Sequence, residues 1–259
     1  LLKLTKIKME LFNYKDIDKD KFFLKKPFPN IELNNLWNKE LLEKCFLEIE
    51  NFKKWDGEKN FFAAKKRLYS SRRDLFPENV SKAFDIFCSQ KFITWLESFT
   101  NEKELVADNN LTIGGISSVG KGGFLKIHCD PNWNPKLKLY LRLVIIVYLN
   151  KEWKDEWGGH LELWNEKMDN CEKKIKPDFN KMFIFSNNGK NYHGHPDPLN
   201  IPENMRRNNL LMYYYSPHNN STKKNDRTNT GELSEYKQRK IGEFGLGYYL
   251  SKILRLIKK

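Results

Sequence analysis

Lys126-Ile127-His128-Cys129-Asp130, with Tyr192-His193-Gly194-His195-Pro196 following further along, organises the reading of this 259-residue chain. On an extended segment His128 and Asp130 project to the same side, because strand side chains alternate with period two. One imidazole from a distant strand would complete a 2-His-1-carboxylate face. Such a ligand set leaves adjacent coordination positions open, the pattern of non-haem Fe(II) sites. The second stretch offers two candidates, His193 and His195. They stand two apart, so periodicity alone does not choose between them.

Taken alone, His-x-Asp is a weak pattern, since such a pair also makes an ordinary polar contact. Its company strengthens it: Gly122-Gly123-Phe124 before it, an apolar run ending Tyr148-Leu149-Asn150, Gly158-Gly159, and an Arg at the head of the last aromatic run. The other two histidines read differently, His160 as structural and His218 as exposed beyond the core.

The length suits one large domain with a substantial core. Hydrophobic residues at 39% and aromatics at 14% argue for a folded globule. The net charge of +13 suggests acidic partners or substrates and says nothing about fold. No run of apolar residues is long enough to span a membrane. Leu1 to Lys8 lacks a continuous apolar stretch and a cleavage site, so it does not read as a signal peptide; Met9 is a candidate natural start. Cys45, Cys88, Cys129 and Cys171 are far apart without CxxC spacing, which argues against disulfides or a Cys-rich zinc site and fits a reducing cytoplasm. Cys129 would face away from its neighbours and pack.

Residues 1–36 are charged and irregular. Asn38 caps an expected helix to Asn51, with Leu41, Leu42, Cys45, Phe46 and Ile49 on its apolar face. Residues 53–75 are basic without a clear period. A second helical region follows Pro77, and Ser89 caps a third carrying Phe92, Trp95, Leu96 and Phe99. The first hundred residues thus read as mainly helical. From Leu105 the texture becomes short runs punctuated by glycine. Tyr140–Leu149 is apolar on both faces, as a doubly buried strand requires; His160–Trp164, Lys181–Ser186 and Asn209–Tyr215 follow as strands. The expected fold class is β-rich α+β, in three parts: 1–104 helical and integrated with the core, 105–217 the β core, 218–259 a basic tail. In that tail Leu246, Leu250, Ile253, Leu254 and Ile257 share one helical face. The helix reads first as docked on the domain, and second as a basic amphipathic helix on a membrane surface or acidic partner.

From about Pro27 to Pro217 the chain resembles the 2-oxoglutarate/Fe(II)-dependent oxygenases of the prolyl 4-hydroxylase-like group. GGFLKIHCD, VIIVYLNKEW, WGGHLELW and YHGHPDPL…RRNNLLMYYYS match that group's motifs in order and spacing. The resemblance implies a double-stranded β-helix (jelly-roll) core with helices packed on one sheet. It also implies iron held by His128, Asp130 and His193, with His195 beside them. 2-Oxoglutarate and O2 are the implied co-substrates, with ascorbate as a possible further cofactor. The co-substrate's distal carboxylate needs a fixed cation, and a planar guanidinium suits it. Arg207 takes the family position, sharing a face with Asn209, Leu211 and Tyr213, while Arg206 reads as a solvated loop residue. Tyr148 carries over as a contact to the co-substrate carboxylate. Arg142, on the Tyr148 face, must find a buried anion or an edge.

The implied activity is hydroxylation of a C–H bond coupled to oxidative decarboxylation of 2-oxoglutarate, on a protein or peptide, proline first by analogy. The same chemistry on a small molecule, sugar or lipid-linked precursor is the alternative; Trp133, Trp153 and Trp157 would stack a proline ring or a sugar face. From other classes come a non-catalytic module that kept the fold and a zinc hydrolase, which would not need Arg207 or Tyr148. A nucleic-acid partner is not expected, because no recognition motif accompanies the basic residues. The expected location is cytoplasmic; peripheral contact with a membrane or an acidic partner through residues 243–259 belongs to the second reading of the tail. Many relatives carry an aromatic residue after the HxD aspartate, where this chain has Pro131-Asn132-Trp133; this bears on substrate choice.

Overall fold

The structure is a computed structural model in which residues 10–218, 234–245 and 248–249 are described. In chain order the N-terminal elements are α1 (Asp20–Phe23), β1 (Asn30–Asn34), α2 (Lys39–Glu50), β2 (Gly57–Phe61), β3 (Ala64–Ser70), α3 (Glu78–Cys88) and α4 (Gln90–Thr100). Then come β4 (Val106–Ala107), β5 (Gly115–Cys129), β6 (Trp133–Asn134), β7 (Leu139–Tyr148), β8 (Leu161–Trp164) and β9 (Cys171–Ile175). Finally come β10 (Lys181–Ser186), β11 (Tyr192–His195), β12 (Arg207–Ser216) and β13 (Glu235–Tyr236).

Strand β7 shows why the layers form. Leu143, Ile145 and Val147 join the helices in one core, while Val144, Ile146 and Tyr148 join Leu161, Leu163, Ile175, Phe183 and Phe185 in another. A strand apolar on both faces can satisfy both only between two layers. Each such side chain contributes about 1.5–3 kcal/mol relative to exposure. Strand β12 divides the same way: Leu210, Met212 and Tyr214 face the helices, Leu211, Tyr213 and Tyr215 the interior.

The strands are antiparallel in the order β1-β10-β7-β12-β5-β11-β8-β9. Strand β5 is long enough to serve two sets of partners. Its first part pairs β12 and β3 around Gly115–Val119, and its last part pairs β11 and β13 around Leu125–Cys129. This curled antiparallel sheet is the jelly-roll core implied by the motifs. The helices start where their caps allow. Asn38 Oδ1 accepts from Leu41 N at 2.9 Å, and Ser89 Oγ from Phe92 N at 3.3 Å. Glu48 of α2 accepts from Asn79 N and Val80 N at the start of α3, answering amides a helix cannot satisfy itself.

Two expectations need correction. Residues 1–36 are not wholly irregular, since β1 pairs β10 from Asn30 opposite Phe185 to Asn34 opposite Lys181. Residues 53–75 are not patternless either, because β2 and β3 form a hairpin whose second strand pairs β5. Most side chains of that hairpin are exposed or half-buried, so it carries little apolar alternation, and pairing with β5 supplies what propensity does not. All four cysteines are free. Among the described residues no helix is long and apolar enough to cross a membrane. The apolar face expected over Leu246–Ile257 lies almost wholly outside the described residues, as does Met9.

Candidate metal centre

Strand pairing brings the two histidine motifs together: His193 of β11 lies opposite His128 of β5. Gly194 makes the approach feasible, because a Cβ there would lie 2.8 Å from the carbonyl oxygens of Leu125 and Lys126. Only glycine lets β11 come so close between its two histidines. Cys129 turns away and packs with Ile127 and Tyr192, as the alternation requires.

His128, Asp130 and His193 offer ligand atoms that all lie within 4.8 Å of one another, and all three are buried. His128 Nε2 is 3.5 Å from Asp130 Oδ1, and His193 Nε2 is 3.6 Å from Asp130 Oδ2. Each ring is oriented from behind. His128 Nδ1 donates to Lys126 O at 2.9 Å, and His193 Nδ1 to Asn191 O at 2.8 Å. With Nδ1 protonated and bonded, the Nε2 lone pair faces the centre, the arrangement typical of metal-ligating histidines. Burial, and then the neighbouring His128, lower the His193 pKa to about 4, so its imidazole is neutral at ordinary pH. Burial opposes the charge on Asp130, but the two facing imidazoles, His128 at 3.5 Å and His193 at 3.6 Å, outweigh it and hold the carboxyl below its usual range. A carboxylate and two neutral Nε2 atoms converging in a buried cavity fit a divalent transition metal. Among the described residues no other His, Cys, Asp or Glu group clusters this way.

His195 is buried in the same cavity but outside the converging group, and its Nδ1 has no partner. Tyr213 Oη lies 3.4 Å from Asp130 Oδ2 and donates toward it; the motifs did not mark that residue. The Tyr236 ring, from β13, packs 5.4 Å from the His128 ring.

The cavity beside the triad has a volume of about 210 Å³. Arg207, Asn209, Leu211 and Tyr213 all line it, as the β12 face required. Arg207 is buried, donates Nε to Gly159 O at 2.8 Å, and lies 5.1 Å over the Tyr148 ring. Gly159 sits at φ +70°, a conformation L side chains rarely adopt, and a Cβ there would meet Leu199 Cδ2 at 2.5 Å. Tyr148 lies beneath Arg207 rather than on the cavity wall, and its hydroxyl is buried without a partner. Burial pushes its phenol up to about 12, with Arg207 pulling the other way.

Other sequence expectations fall elsewhere. Arg206 is not a free loop side chain: its Nε donates to Ser118 Oγ at 2.6 Å and an Nη to Ser118 O at 2.9 Å, bracing β5. Arg142 finds the buried anion it needs in Glu102, gripped by two bonds of 2.8 and 2.9 Å. Trp153 and Trp157 pack with Val119, Leu199 and Ile201 and do not line the triad cavity. Trp133 lines a neighbouring cavity of about 160 Å³ that shares Thr112, Ile113 and Pro131 with the first. His160 Nε2 faces Asp155 at 3.3 Å, and His218 pairs with Glu104 at 3.1 Å. Lys59 and Arg67 of the β2–β3 hairpin also line the triad cavity. Only their basic character was visible in sequence, because the pairing that aims them is non-local.

Residues 114–215 match the model of the 2OG-Fe(II) oxygenase superfamily. No curated protein sequence matches the chain. Among solved structures, a prolyl-4-hydroxylase from Pseudomonas putida is similar at a TM-score of 0.53 and 11% identity, covering 73% of this chain and 92% of that one. HygX from Streptomyces hygroscopicus, with nickel, 2-oxoglutarate and hygromycin B bound, is similar at 0.54 and 10%, covering 77% and 87%. A Trichoplax adhaerens prolyl hydroxylase in complex with a hypoxia inducible factor oxygen degradation domain peptide is similar at 0.50 and 15%, covering 72% and 83%. At these identities the likeness is one of fold.

Proposed function

We propose that the chain is a 2-oxoglutarate/Fe(II)-dependent oxygenase, the superfamily whose model matches residues 114–215, and that it hydroxylates a C–H bond of a protein or peptide, with a prolyl residue the first candidate. The observation that carries the metal assignment is the convergence of His128, Asp130 and His193, both imidazoles oriented by backbone carbonyls. Those three residues would hold Fe(II). Bound there, the metal with O2 and 2-oxoglutarate supplies the hydroxylation, with release of succinate and CO2.

The protein's own residues prepare that reaction. Arg207, fixed by Gly159 and backed by the Tyr148 ring, stands as the buried cation for the distal carboxylate of 2-oxoglutarate. Tyr148 supports it through its ring, which lies 5.1 Å below the guanidinium. Tyr213 steadies Asp130. The apolar walls Val144, Ile146, Leu161 and Leu211 exclude water around the reacting groups.

A small-molecule substrate is the second reading. It is favoured by the likeness to HygX, whose structure holds hygromycin B. The test incubates the Fe(II)-loaded chain with 2-oxoglutarate, O2 and panels of proline-containing peptides and sugars. Succinate release and a mass gain of one oxygen atom are the readouts. Oxygen incorporation into peptides supports the first reading; incorporation confined to sugars replaces it with the second.

A further inference from the structure

Lys59 and Arg67 stand directly opposite one another on β2 and β3, and both line the triad cavity. Like charges in register across a strand pair destabilise it, so this pair is unfavourable unless an anion answers it. Arg67 Nε donates to Ser117 Oγ at 2.9 Å, which orients the guanidinium, while Lys59 Nζ sits 5.3 Å over the Tyr69 ring. Neither side chain has an ion-pair partner among the described residues. Asp130 is the only described acid lining the cavity, and it faces His128 and His193. The charges of Fe(II) and Arg207 are matched by Asp130 and the two carboxylates of 2-oxoglutarate. Among the described residues, Lys59 and Arg67 are therefore surplus positive charge at the site.

We propose that the primary substrate carries an anionic group, a carboxylate or a phosphate, which Arg67 and Lys59 hold while the neighbouring C–H bond faces His128, Asp130 and His193. The inference rests on the oxygenase reading above and narrows its substrate class. A guanidinium already oriented by one hydrogen bond offers its remaining donors to two oxygens at once, and an ammonium opposite adds a point charge.

The test uses the full chain loaded with Fe(II) and saturating 2-oxoglutarate without O2. Inorganic phosphate and acetate are titrated separately by calorimetry while the visible band of the 2-oxoglutarate chelate is followed. At least one probe is expected to bind with the band intact, and Arg67→Gln and Lys59→Gln should each weaken it about tenfold, the loss of one charged hydrogen bond. Phosphate binding alone identifies a phosphate ester, and acetate binding alone a carboxylate. Lys59→Gln removes an exposed side chain, so it serves as the test if Arg67→Gln does not fold. An intact band with neither probe binding below ~0.1 M, where simple salt screening takes over, overturns the proposal alone. So does a matching loss of 2-oxoglutarate affinity in Arg67→Gln, which would place that residue in the co-substrate site. Absence of the band in the unsubstituted protein overturns the oxygenase reading, and this proposal with it.

Discussion

Arg207 and Arg206 are adjacent in sequence and opposite in circumstance. Arg207 points into the cavity against Gly159 and Tyr148, whereas Arg206 points outward against Ser118. Arg207→Ala should therefore raise the 2-oxoglutarate concentration needed for half-maximal turnover about ten- to a hundredfold, the worth of one or two charged hydrogen bonds. Arg206→Ala should leave it nearly unchanged; a larger effect there would transfer the role. At this scale the sequence was legible wherever one strand carried the information. The face shared by Arg207, Asn209, Leu211 and Tyr213 follows from period two alone. His193 and His195 obey the same period, so the residues could not separate them, and the family resemblance favoured His193. The structure separates them by distance: His193 Nε2 reaches Asp130, and His195 remains outside the group.

Buried ion pairs and the C-terminal segment belong to the scale of elements. Arg142 of β7 and Glu102, just beyond α4, are both buried and bonded bidentately. Arg142→Met should destabilise the fold by about 3–5 kcal/mol, because it removes the buried bidentate contact to Glu102, while the double substitution with Glu102→Leu should restore much of that loss. Urea unfolding measures both, and equal losses in the single and double variants would contradict the argument. The segment 234–245 is tied down by charge: Arg239 grips Asp197 and Glu243, and Glu243 also meets Lys126 at 3.2 Å. The Arg239 hydrogen bond holds the Asp197 carboxyl below its usual range. Burial pushes Glu243 up, but Arg239 outweighs it and the net shift is downward. Both folded values thus lie below the unfolded ones. Their contribution is complete above the unfolded range and is lost as pH falls through the folded values, below about 4. Limited proteolysis should cut this segment faster below that pH and at a constant rate between pH 5 and 8; release on raising the pH would contradict the assignment. Elements were legible where burial is two-sided, as in β7 and β12. They were not where a strand is held by its partner, as β1 is by β10 and β3 by β5.

At the scale of the whole molecule, the jelly roll brings the candidate ligand atoms of His128, Asp130 and His193 together beside one cavity. A site arranged in the folded chain and absent from the unfolded one makes ligand binding a stabilising force. Fe(II) at about a hundred times its dissociation constant should add about 2.7 kcal/mol, read as a rise in Tm under anaerobic conditions and absent in Asp130→Ala. The most direct measurement is anaerobic titration of the Fe(II)-loaded chain with 2-oxoglutarate, following the weak visible charge-transfer band of the chelate. The band should grow to saturation in the unsubstituted protein and be missing in His193→Ala. Properly metallated protein that develops no band, or a His193→Ala variant that develops it unchanged, would contradict the site described here.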